Sequence, residues 1–336
     1  MHMADALINT GVAAVMYGLT AGTSAYSIHT IRKSEEPIKV PEMGIMGAFV
    51  FATQMINFAI PGTGSSGHIC GGMLLSAMLG PSAGFVTMMG ILIIQCLMFA
   101  DGGIMALGAN IWNMAFYGCF IGAGVIWRGI LKNGASKKKI TAASIIGCIV
   151  TLQLGAFSVT LETLISGVTT LPFRVFVSFM QPIHLAIGAV EGIITAAVLC
   201  FVYETKPDLL WGIKEDSKKE RMSYGSVMAI LGMAAIFIAG GLSLLASSLP
   251  DGLEWSVEKV TGDTELISEG QVYDTFSNIQ DKVAVLPDYA FSGSDSAFGT
   301  SFSGIAGGIA VIGVCVLFCI VIKALRKRNG YHDEQV

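Results

Sequence analysis

Apolar stretches close to a bilayer's thickness recur along this chain and constrain its fold more than any other feature. A helix needs about 20 mostly apolar residues to cross the hydrocarbon core. Nine segments approach that length: 7–29, 43–60, 68–80, 83–100, 104–130, 140–166, 181–204, 225–247 and 303–324. The third is short. With 53% hydrophobic and 13% charged residues and a mean hydropathy of +0.68, the chain reads as an all-α polytopic membrane protein of about nine transmembrane helices. This excludes the pair of soluble domains that 336 residues would otherwise allow.

Positive charge is sorted by region. If the N-terminus lies outside, the inward loops and tail hold Arg32, Lys33 and Lys39, then Arg128, Lys132 and Lys137 to Lys139, then Lys206, Lys214, Lys218, Lys219 and Arg221, then Lys323 and Arg326 to Arg328. Only Arg174, Lys259 and Lys282 of the 20 basic residues fall elsewhere. The positive-inside rule therefore puts the N-terminus outside and the C-terminus in the cytoplasm of a plasma-membrane protein. Residues 205–224 form a charged cytoplasmic linker between a seven-helix part, 1–204, and a two-helix part, 225–336. The outer segment of the second part, about 248–302, is acidic: Asp251, Glu254, Glu258, Asp263, Glu265, Glu269, Asp274, Asp281, Asp288 and Asp295 stand against Lys259 and Lys282. It either gathers cations by electrostatic attraction or serves solubility.

The start of the chain, Met1-His2-Met3-Ala4-Asp5, carries a free amine, an amide nitrogen and an imidazole in succession. Amine and amide nitrogen close a five-membered ring on a metal, and amide nitrogen and Nδ1 of His2 a six-membered one. A fourth nitrogen completes a square plane, which suits Ni²⁺; His68, after the run Pro61-Gly-Thr-Gly-Ser-Ser-Gly67, is the candidate. The expectation requires Met1 to be retained, and the absence of Lys or Arg from residues 1–6 argues against a secretory leader. The glycine-rich run is not helical and lies at membrane depth or at its outer edge, where irregular backbone needs protein or water around it. It lacks the lysine of a nucleotide loop. Polar residues near these outer ends, Gln54, Asn57, Thr63, Ser65, Ser66, Asp101 and Asn110, orient the imidazoles or satisfy loop backbone; Asn57, Ser65, Ser66, Asp101 and Asn110 are the supporting candidates.

Other features have plainer readings. The seven cysteines, Cys70, Cys96, Cys119, Cys148, Cys200, Cys315 and Cys319, lie in apolar segments and read as small buried hydrophobes. Glu162, His184 and Glu191 are ionisable groups in spans six and seven, and such groups face a bundle interior or a cavity. His184 is expected near the outer interface and Glu191 in a pairing within the bundle. His29 and His332 are expected in solvent. Ala14, Gly18 and Gly22 form a small-residue stripe suited to close helix packing, by default within the chain.

The Met-His start, the run Gln54-Met-Ile-Asn-Phe58 to Gly67-His68, and Phe99-Ala-Asp-Gly-Gly103 to Leu107-Gly-Ala-Asn110 resemble the CbiM/NikM family, the substrate-binding S components of energy-coupling-factor transporters for cobalt and nickel. Pro250-Asp-Gly-Leu-Glu-Trp255 is similar to the PDGLE, or CbiN/NikN, component, here fused to the first. The resemblance implies a metal held by the Met1 amine, the His2 backbone nitrogen and imidazole, and the His68 imidazole. It also implies a transmembrane coupling protein and a pair of cytoplasmic ATPases as partners. The start departs from the family's commoner Met-His-Ile-Pro-Asp-Gly. The expected function is capture of Co²⁺ or Ni²⁺ for ATP-driven import, for cobalamin synthesis or nickel enzymes, without catalysis or a resident cofactor. The alternatives are an autonomous proton-coupled metal transporter using Glu162, His184 and Glu191, and a membrane metal sensor or scaffold.

Overall fold

The structure, a computed structural model, describes residues 1–34, 40–169, 171–213, 222–264, 266, 270–291 and 296–328. Lys39, Lys214, Lys218, Lys219, Arg221, Glu265, Glu269, Asp295 and His332 lie outside the described residues. The chain is mostly helical, as composition dictates. In order come α1 (Thr10–Lys33), α2 (Val40–Gln54), the strands β1 (Phe58–Ile60) and β2 (Ser65–Gly67), then α3 (Gly72–Leu79) and α4 (Pro81–Phe99). There follow α5 (Leu107–Leu131), α6 (Lys137–Ser166), α7 (Phe173–Thr205), α8 (Tyr224–Gly240), α9 (Gly252–Thr261), α10 (Gln271–Val283) and α11 (Ala297–Arg328). Each of the nine apolar segments contains a helix. Among the described residues, α4, α5, α6, α7 and α11 are long and apolar enough to cross a bilayer, and α8 is a shorter apolar helix.

Two boundaries differ from expectation. The run before His68 is not irregular: β1 and β2 pair antiparallel, Phe58 opposite Gly67, around a turn with Gly62 and Gly64 at φ +79° and +78°. Helix α7 begins at Phe173 rather than near 181, and Phe179 in this extension packs edge-on against Trp255 of the outer segment.

The second part does not stand apart. Helices α8 and α11 pack on α2 and α4 where glycines let backbones close in. A Cβ at Gly47 would press on Val311, and one at Gly307 on the Phe51 ring. At one end of the bundle Trp211 N–H donates to the Ala77 carbonyl at 2.8 Å, and Arg326 donates to the carbonyls of Ile31 and Ser34. At the opposite end α9, α10 and Leu286–Ala290 fold back over the first part, with Gln280 Nε2 donating to the Gly102 carbonyl at 2.7 Å and Tyr273 to the Ile8 carbonyl at 3.0 Å. Among the described residues nothing packs on the stripe of Ala14, Gly18 and Gly22: all three are exposed, and no described atom lies within 4 Å of a Cβ built at Gly18 or Gly22.

Candidate metal centre

The first residues are threaded into the bundle. Met3 N–H donates to Asn110 Oδ1 at 2.7 Å, and the Met3 carbonyl accepts from Asn110 Nδ2 and Gly103 N. The Asp5 carboxylate accepts from Ala106 N at 2.9 Å. A Cβ on Gly103 would fall on the Asp5 carboxylate, so the Asp101-Gly-Gly103 turn is the floor on which the N-terminal segment lies. The Met1 side chain is buried, its Cε beside Gly155 of α6. These contacts fix where the amine points.

Three nitrogen-bearing groups meet there. The Met1 amine lies 3.3 Å from Nε2 of His68, and the His2 and His68 rings stack at 5.3 Å between centroids, 18° from parallel. The tautomers follow from backbone carbonyls, which can only accept. His68 Nδ1 lies 3.0 Å from the Ile69 carbonyl and must carry the proton, so Nε2 presents a lone pair toward Met1. The Cys70 carbonyl accepts from Gln54 Nε2 at 2.7 Å, and Gln54 Oε1 accepts from Gln95 Nε2 at 3.0 Å. Gln95 Oε1 therefore faces His2 Nε2, at 3.2 Å, and that nitrogen is the donor. The lone pair of neutral His2 is left on Nδ1, the atom that the expected chelate would use. Nδ1 sits 3.1 Å from Asp101 Oδ1, whose other oxygen accepts from Tyr289 at 2.6 Å. Two lone pairs facing each other call for a proton or a cation between them.

Opposite charges bracket the group. The Met1 amine donates to Asp251 Oδ2 at 2.7 Å. Burial works against the charged amine, but the Asp251 carboxylate, with Asp101 and Glu254, outweighs it and raises the amine above its usual value. Burial also opposes the charge on Asp251, yet the amine, the His68 field and the capping hydrogen bonds hold this carboxyl well below the usual range. Burial pushes both imidazoles down; for His2 the Asp101 carboxylate opposes this and the amine adds to it, while at His68 the amine and His2 add to it. The amine is thus held charged against Asp251, beside imidazoles that burial disposes to stay neutral.

The candidates separate by position. Met1, His2 and His68 come together; Asp101 touches His2, and Asn110 anchors Met3. Ser65 and Ser66 do not orient an imidazole. Their hydroxyls face the carbonyls of Leu249 and Pro250 and hold the second part's loop. The Asn57 carbonyl accepts from Ser247 N, and Asn57 borders a cavity of about 630 Å³ under α9 and α10 that also meets His2, His68 and Asp251. Glu191 accepts from the N–H groups of Cys70 and Gly71, which is the expected pairing within the bundle. Glu162 accepts from Asn113. His184 is 1% exposed and borders a small cavity together with Met1 and His68. Asp251, Gln95 and Tyr289 were missed. Asp251 had a signal, the Asp-x-x-Glu spacing of a capping box, which it forms with Glu254 at the head of α9.

Residues 2–209 match the family model for the cobalt uptake substrate-specific transmembrane region, CbiM, and residues 225–324 match the PDGLE domain. The chain belongs to the CbiM family. Within it, the chain is 33% identical over 312 residues to a putative fused nickel transport protein NikMN of Archaeoglobus fulgidus, covering 93% of this chain and 96% of that one. It is 28% identical to the cobalt transport protein CbiM of Geobacter sulfurreducens, over 80% of this chain and 77% of the relative. A crystal structure described as a truncated transition metal transporter superposes with a TM-score of 0.54 at 32% identity, covering 61% of this chain and 99% of that one. The relatives are transport proteins, and this CbiM-family chain is a multi-pass membrane protein of cobalt and nickel transport.

Proposed function

We propose that this protein is the ion-capturing S component of an energy-coupling-factor transporter, taking Co²⁺ or Ni²⁺ from outside in a near-planar set of four nitrogens. The ligands are the Met1 amine, the His2 amide nitrogen and Nδ1, and His68 Nε2. The observation that carries this reading is the approach of the Met1 amine to within 3.3 Å of the His68 Nε2 lone pair, with the His2 ring stacked alongside. Among the described residues no three His, Cys, Asp or Glu side chains form a metal cluster, so a site here has to draw on amine and backbone nitrogen.

In this reading residues 1–204 form the capture domain, 205–224 the cytoplasmic linker and 225–336 the CbiN/NikN-like module, with nine spans and the N-terminus outside. Asn110, Asp101 and Gln95 hold the chelating residues in place, while the outer acidic segment roofs the site. Import is driven by a coupling protein and an ATPase pair, and the exposed Ala14-Gly18-Gly22 stripe is the docking face for the coupling protein. The deciding experiment is Ni²⁺ and Co²⁺ binding to the purified chain with an authentic N-terminus, beside one with a residue added before Met1 and one carrying His68→Ala. Loss of binding in both variants is expected; equal binding in all three would sink the four-nitrogen site.

A further inference from the structure

On the membrane side of Met1 and His68 lies a second, much smaller cavity of about 10 Å³, whose walls include Met1, His68, Cys70, His184 and Asp251. It has room for about one water. His68 and Asp251 border both this chamber and the wide outer cavity, so the chelating group lies between the two. His184, on α7, is 1% exposed. Its Nδ1 lies 2.8 Å from the Met180 carbonyl and so carries the proton, which leaves the lone pair on Nε2. That Nε2 is buried and has no hydrogen-bond partner among the described residues.

An unpaired nitrogen acceptor inside a membrane bundle is costly, and no protein group among the described residues relieves it. The opposite wall is Gly252 of the second module, where a Cβ would stand 3.1 Å from His184 Cε1. Glycine there leaves the imidazole its room, and the PDGLE loop closes the chamber over it. The imidazole is held in one tautomer, and its free Nε2 belongs to a residue that lines this chamber together with Met1 and His68.

We propose that His184 Nε2 is a specificity-determining donor that approaches the transported ion along the axis of the four-nitrogen plane, directly or through one water. The inference rests on the four-nitrogen reading above. Its consequence differs between the two candidate ions. A d⁸ Ni²⁺ ion is satisfied by four strong in-plane nitrogens, whereas d⁷ Co²⁺ gains from a fifth, axial donor. His184 thereby favours Co²⁺ relative to a purely planar site.

The test uses the full-length chain with Co²⁺ and Ni²⁺ alone, comparing wild type with His184→Ala and His184→Gln, the N-terminally extended chain serving as the non-binding control. Co²⁺ affinity is expected to fall about 10- to 100-fold, as when a metal site loses a supporting imidazole, while Ni²⁺ affinity changes less than about threefold. X-ray absorption on the Co²⁺-loaded protein is expected to show five donors in wild type and four in the variants. Equal losses for both ions, or none, would mean that His184 is structural and overturn the proposal. Four donors in wild type overturn it without any variant. If the extended chain still binds like wild type, the underlying four-nitrogen reading fails instead.

Discussion

The Met1 ammonium lies 2.7 Å from Oδ2 of Asp251, and so joins the first residue of the chain to the PDGLE loop. In the four-nitrogen reading a metal and this ion pair compete for the same amine, because a ligating amine has to give up its proton. An unperturbed histidine would place this competition near pH 6.5. The structure shifts control to Met1, since burial pushes the imidazoles down while Asp251 and its acidic neighbours raise the amine. We predict that affinity keeps rising from pH 6 through the amine's ordinary value of about 8, with two protons released per ion, one each from the Met1 amine and the His2 amide. Calorimetry in buffers of different ionisation enthalpy counts them; a count of one removes the amide from the ligand set.

Asp251→Asn separates this competition from the loop's architecture. Asparagine caps a helix nearly as well as aspartate, so α9 keeps its start while the amine loses its counter-charge. Without it burial dominates, the amine loses its proton more readily, and the pH profile of metal binding moves to lower pH. The stability effect has the opposite sign. A raised amine contributes stability below its unfolded value, about 8, and loses it as pH climbs through the folded value. A lowered carboxyl contributes above its unfolded value, about 3.9, and loses it on acidification. Between these limits the variant without metal should be destabilised by about 3 kcal/mol, read as a lower thermal midpoint at pH 6 and a smaller gap at alkaline pH. An unchanged midpoint at pH 6 would show the pair to be energetically neutral.

What could be read from the sequence follows chemistry that is local in the chain. Met1 and His2 suggest a chelate because the ring sizes are set by adjacent atoms, and the bilayer's thickness makes each apolar segment visible. Glycine density singled out 61–67, but not that it forms a hairpin, since Gly62 and Gly64 encode the turn while the pairing depends on burial of Ser65 and Ser66 against the Pro250 loop. Asp251 and His184 were illegible as neighbours of Met1, because they join it only when the outer loop folds over and α7 packs in. Tyr289 reaches Asp101 through a backbone at φ +58°, rare outside glycine, and no local pattern foretells that.

Gln95→Leu tests the amide chain that fixes the His2 tautomer. Leucine removes the oxygen that accepts from His2 Nε2, so the imidazole is free to carry its proton on Nδ1, where it blocks the metal. Affinity should drop about 10- to 100-fold, the usual consequence of losing a second partner behind a ligating histidine. Gln95→Glu keeps an acceptor toward His2 and should bind more tightly than Gln95→Leu. Titration of both variants with Ni²⁺ checks this, and equal affinities would show that the amide chain does not set the tautomer.

Gly18→Leu and Gly22→Leu address the exposed stripe on α1. Neither position has a neighbour within 4 Å of an added Cβ, so leucine meets no obstacle within the chain, and replacing a helical glycine gains on the order of 0.8 kcal/mol in helix propensity. Thermal stability and Ni²⁺ binding should therefore hold or improve. If the coupling protein docks here, its helices approach closely only because the side chains are small, and leucine holds them apart. We expect loss of co-purification with the coupling protein and of ATP-driven uptake in the double variant, with binding intact. Retained co-purification would place the docking face elsewhere on the bundle.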